Sequence, residues 1–150
     1  HFHSKAVLVD AIAERHLGNA TERFAAVDTS LPPKEQLLSF VLRLLDSHLR
    51  DIQQNPYIFE MVISTIDAKL DAGQRYRERI EQKLGEIIRE GVAEGNYHCD
   101  NTDMAARTVA DVLACVLHPI LIAKDDKNTR VHRAEKIVCF VDAALQNKPC

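Results

Sequence analysis

Cys115 and His118 are the reactive side chains best placed to act together, because a spacing of three puts them on one face of a helix. A thiol and an imidazole in that relation could form a nucleophile–base pair or give two metal ligands. Neither chemistry is complete. Two ligands do not hold a metal, and the surrounding residues offer no oxyanion donor or orienting carboxylate. Pro119 follows directly and predicts a kink that frees carbonyls one turn earlier, so His118 reads as a residue that satisfies that kink or an interface. His98-Cys99-Asp100 is metal-like by residue type, but side chains of a three-residue run rarely converge, and a surface turn is expected there. His48 lies within an apolar stripe. The cysteines (Cys99, Cys115, Cys139, Cys150) lack the spacing of a zinc site. Glycine-rich phosphate loops, paired catalytic carboxylates and nucleophile elbows are missing from the sequence. The expectation is a protein that binds rather than catalyses, with no catalytic residue, metal or cofactor.

The elements that would carry these residues are all helical. Asp103 to Lys124 is apolar on nearly all sides, interrupted by Arg107, Thr108, Asp111, His118 and Pro119. Such a helix needs cover on more than one face. Its uninterrupted part, 112–123, is nearer the length of a buried core helix than the roughly 20 residues a bilayer requires. The rest of the chain is expected to be arranged around it, one face on its own chain and the other on a second copy. Ser4 is a helix cap before a stripe of Val7, Leu8, Ala11, Ile12 and Leu17, which continues past Gly18 to about Val27. After the loop from Asp28 to Pro33, Leu37, Leu38, Val41, Leu44, Leu45, His48, Leu49 and Ile52 form a second stripe. Asn55-Pro56 opens a shorter third helix. Asp71 to Gly73 reads as a break or kink, then Ile80, Leu84, Ile87, Ile88 and Val92 line a fourth helix, with Gly95 as its left-handed cap. A last helix runs from about Arg130 to Gln146. No useful segment alternates with period two. The fold class is all-α, a bundle of about six helices.

Composition agrees. The 150 residues fit one domain, with 46% hydrophobic and 27% charged residues, which excludes disorder. A net charge of −3 without a long basic run gives no general nucleic-acid footprint. The start, HFHSKAVL, has no apolar core of a signal peptide, and a reducing, cytoplasmic compartment is expected. The chain also lacks an initiator methionine, as a piece of something longer would.

His1-Phe2-His3-Ser4-Lys5-Ala6-Val7-Leu8 resembles the end of the helix-turn-helix in TetR-type (TetR/AcrR) transcriptional regulators, where an aromatic-rich segment closes the recognition helix and Ser/Thr-Lys begins a long linker helix. His1, Phe2, Ser4 and Lys5 match that pattern. Gly91-Val92-Ala93-Glu94-Gly95-Asn96-Tyr97 is similar to the G-x-x-x-G-x-aromatic end of a later helix in these proteins, followed, as there, by an Asp-rich turn, Ala105-Ala106 and two apolar helices. The likeness spans essentially the whole chain and departs at the front, where the first two helices and most of the recognition helix are absent.

The resemblance implies that residues 1–5 are the tail of a helix-turn-helix DNA-binding domain and 6–150 an effector-binding and dimerisation domain. It implies a ligand-responsive repressor in which a small apolar or amphipathic effector shifts the linker helix and changes the spacing of two DNA-binding heads. His1 and Lys5 would touch DNA phosphate. The last two helices of two subunits would form a dimeric four-helix bundle through Val109, Val112, Val116, Ile120, Ile137, Phe140, Val141 and Ala144. Phe40, Leu44, Phe59, Val62, Ile66, Tyr76, Ile80, Leu84, Leu113 and Leu117 would wall the effector pocket, although apolar stripes at helical spacing are first of all packing. The partners implied are a second copy, operator DNA through the missing head and an unknown effector, with no membrane. The alternative from another class is a helical protein–protein interaction module without a ligand.

Overall fold

The computed structural model describes residues 4–67, 70–117, 119–122 and 126–147. Among them the elements are α1 (Lys5–Ala25), α2 (Pro33–Gln54), α3 (Pro56–Asp67), α4 (Asp71–Ala93), α5 (Thr102–Leu117), α6 (Pro119–Ile122) and α7 (Lys127–Gln146). The described residues contain six long helices, a single-turn seventh and no strand.

Local chemistry explains most of the ends. The Ser4 hydroxyl accepts from the Val7 amide (3.3 Å) and caps α1. Pro33 occupies the first turn of α2, where its missing N–H costs nothing. Gly95 takes φ +77, and the Asn96 and Tyr97 amides both donate to the Gly91 carbonyl, closing α4 in the expected left-handed cap. The Asp126 carboxylate accepts from the Asn128 and Thr129 amides (both 3.0 Å), so α7 begins three residues before the expected Arg130. The expected break at Asp71–Gly73 is instead the first turn of α4, with Leu70 as a cap residue that contributes no side-chain hydrogen bond. The break between α5 and α6 falls where Pro119 places it, and His118 lies outside the described residues.

The central helix is α2, which packs against every other helix, rather than the more apolar α5. Its buried face mixes Leu37, Phe40, Val41, Leu44 and Leu45 with Gln36, Ser47, His48 and Asp51, all under 10% exposed. These polar groups survive burial because each is hydrogen-bonded, as Gln36 is to the Leu31 carbonyl (2.9 Å). From α5, by contrast, Ala106, Val109, Leu113, Val116 and Leu117 are buried, while Met104 and Val112 stay exposed. One apolar face of α5 is covered by its own chain and the other is open.

Candidate functional site

The interior where α1, α2, α4 and the end of α5 meet is built on Phe24, Phe40, Leu44, Tyr76, Leu84, Leu113 and Leu117, all buried. Phe24 meets Phe40 edge-on at 5.6 Å and Tyr76 at 6.0 Å between ring centroids. Inside this apolar wall sits one polar pair. His48 Nδ1 lies 3.0 Å from the Leu117 carbonyl, and its Nε2 lies 2.7 Å from the Tyr76 hydroxyl. A carbonyl can only accept, so Nδ1 carries the proton and donates to Leu117, while Nε2 accepts from Tyr76. His48 thereby satisfies a carbonyl at the end of α5, where the helix breaks. Burial raises the Tyr76 phenol well above its ordinary value, Asp51's charge adds to this and Arg23 opposes it, so the hydroxyl remains a donor.

Most of the residues expected to wall an effector pocket are brought together here. Phe40, Leu44, Phe59, Val62, Tyr76, Leu84, Leu113 and Leu117 are buried, Ile80 is half-buried, and the side chain of Ile66 lies outside the described residues. Phe40, Leu44, Val62, Tyr76, Leu84, Leu113 and Leu117 belong to one hydrophobic core, with Ile80 packed against it, and Phe59 is buried outside that cluster.

A sizeable apolar concavity lies elsewhere, between α5 and α7. This groove of about 360 Å³ is lined by Met104, Ala105, Thr108, Val109, Val112, Phe140, Val141, Ala144 and Leu145, with Cys99, Asp100 and Asn101 at its end. Five of the residues expected to pair two subunits are in that lining. Phe140 projects with 72% of its surface exposed, and Met104 and Val112 are exposed beside it. Val109, Val116 and Val141 are buried within the chain itself, and Ile137 and Ala144 are half-buried. The Ile120 side chain lies outside the described residues.

At the front, Lys5 is exposed in the first turn of α1, and His1 lies outside the described residues. Cys115 is exposed and its thiol donates to the Val112 carbonyl (2.9 Å). Among the described residues no three His, Cys, Asp or Glu side chains are grouped to hold a metal ion. No described helix is long and apolar enough to cross a membrane.

Sequence reasoning missed three polar constellations. Buried Asp51 of α2 receives both carboxylate bonds from Arg23 Nη2 (2.8 Å each) and faces His16 Nε2 at 3.1 Å, joining α2 to α1. Buried Asp142 of α7 accepts from the Tyr97 hydroxyl (2.9 Å) and from Gln146 (3.0 Å), tying the α4–α5 turn to α7. Asp10 and Glu14 of α1 meet Arg75 and Arg79 of α4. Each pairs residues far apart in the chain, for which a single sequence offers no local signal.

An all-helical domain with a central α2, a half-open apolar α5–α7 face and a Gly91–Tyr97 closure agrees with a family comparison. Residues 33–138 match the family described as "Tetracyclin repressor-like, C-terminal domain". That span covers well over half of the chain, and the protein belongs to this family of TetR-type regulators. No curated protein and no solved structure gives a significant match.

Proposed function

We propose that this chain is the effector-binding and dimer-forming domain of a ligand-responsive repressor, with operator DNA read by a head on the N-terminal side of α1. The observation that carries the reading is the open apolar face of α5 and α7. Phe140, Met104 and Val112 stand exposed around a groove, as an isologous interface of two C-terminal helix pairs requires. The effector would enter the interior around His48 and Tyr76, an apolar wall with one polar pair, which suits an apolar or amphipathic molecule. Lys5 and His1 would contact phosphate. An effector acts only if it binds the DNA-releasing state more tightly than the DNA-bound one.

Light scattering at micromolar concentration, combined with a thermal-shift screen of fatty acids, acyl-thioesters, phenolics and cationic drugs, tests both halves. A dimer, together with a hit confined to one chemical class, is expected. A ligand at a hundredfold its Kd adds about 2.7 kcal/mol, a readily visible shift. A monomer with no hit would end the reading.

The second reading, a helical interaction module without a ligand, draws on two observations. Most of the expected pocket walls are packed as core, and the groove lies on the α5–α7 surface. A dimer that ignores every ligand class would favour it.

A further inference from the structure

Three consecutive residues of α4 reach three different helices. Arg75 Nε donates to Glu14 of α1 at 2.8 Å, Tyr76 turns inward to His48 of α2, and Arg77 Nη2 donates to Asp111 of α5 at 2.7 Å. Successive residues on a helix point about 100° apart, so one turn serves all three directions. The contact with α1 is the most elaborate. Arg79, one turn on, also bonds Glu14, and Arg75 Nη2 lies 3.5 Å from Asp10. Asp10 Oδ1 accepts from the Ala72 amide at 2.9 Å. An orphan donor in the first turn of α4, which Leu70 cannot satisfy, is thus capped by a side chain of α1.

The two halves of α1 are held differently. Ala13, Leu17, Ala20 and Phe24 are buried, and Arg23 adds its bond to buried Asp51. Before Ala13, Val7, Leu8 and Ile12 are between 38% and 49% exposed. The side-chain bonds to the body in that stretch are made by Asp10. We propose that the first two turns of α4 are a clamp that sets the position of the front of α1, with Asp10 and Glu14 as positioning residues. Tyr76 itself meets α1 further along, edge-on against Phe24. The consequence for DNA rests on the regulatory reading above, whereas the clamp itself does not.

The test is amide hydrogen exchange, read by NMR on the whole chain without DNA or effector, in wild type and in Asp10→Ala, Asp10→Asn and Glu14→Gln. Asp10→Ala removes the cap acceptor, and Asp10→Asn keeps one. With Asp10→Ala, exchange should quicken about tenfold at Ala72 and over residues 9–12, the scale expected for losing a charge-assisted bond. Asp10→Asn should restore protection at Ala72. Glu14→Gln should quicken 9–12 with Ala72 still protected. Amides at Leu17–Phe24 and Leu37–Leu45 should stay as in wild type throughout. Unchanged exchange at 9–12 in all variants would overturn the clamp. So would loss of protection across α1 and α2 together, or an Asp10→Asn chain that behaves like Asp10→Ala, since either marks a merely structural contribution. A failed ligand screen with the expected exchange pattern would remove the effector reading and leave the clamp standing.

Discussion

At the scale of single residues, the glycine–aromatic pattern shows how a family mark can be legible while its cause is not. A Cβ on Gly91 would overlap the Tyr97 ring, which is fully buried and cannot swing away because its hydroxyl is held by Asp142. Gly91→Ala should therefore cost about 1–3 kcal/mol, as overpacking does, and urea denaturation would measure it. The spacing of Gly91 and Tyr97 was visible in the sequence, but their contact depends on the turn that Gly95 makes. Glu14 gives a pH signature. Burial raises its carboxyl, but hydrogen bonds from Arg79 and Arg75 outweigh this and leave it below the usual carboxylate range. A depressed carboxyl contributes stability that is complete above its ordinary unfolded value and is lost as pH falls through the folded one. Wild type should thus lose stability on acidification through the carboxylate range by more than Glu14→Gln does, as denaturation at a series of pH values would show.

At the scale of elements, the long stripes of α1, α2, α4 and α7 were readable because a period of 3.6 over many residues has few other interpretations. The ends set by local chemistry, such as Ser4, Pro33 and Gly95, were readable too. The start of α4 was not, because its cap comes from Asp10 on another helix. Nor was the centrality of α2. Hydrophobicity singles out α5, yet burial follows satisfied polar groups as well as apolar ones, and the partners of Ser47, His48 and Asp51 lie on other helices. His48 links three helices by two hydrogen bonds. His48→Leu should leave the Tyr76 hydroxyl and the Leu117 carbonyl unpaired, at about 1–3 kcal/mol for each buried group. Thermal unfolding should show the loss, with helix content by circular dichroism little changed below the transition.

At the scale of the whole molecule, the half-open α5 is where the sequence expectation and the structure meet most closely. An apolar helix near the C-terminus was expected to need two covers, and one of them is present within the chain. Phe140→Glu should leave the fold intact, because the side chain is 72% exposed, and should shift a dimer towards monomer in light scattering. The residues expected to wall an effector pocket are for the most part packed as core. Core and pocket residues would share the same apolar stripes, and what the stripes do not reveal is the buried His48–Tyr76 pair, whose members lie on different helices.

The family match begins at residue 33, at the first turn of α2, and so leaves α1 outside it. The boundary of resemblance is not a boundary of cooperativity. A chain cut there would lose four buried side chains of α1, expose the apolar α2 and α4 surfaces they cover, and take from Asp51 its partners Arg23 and His16. Burying one large apolar side chain such as Leu17 or Phe24 contributes about 1.5–3 kcal/mol, so losing this whole face removes a large part of the stability of any small domain. The segment most recognisable by descent is therefore smaller than the segment that can fold, and residues 33–147 expressed alone should lack a cooperative melting transition.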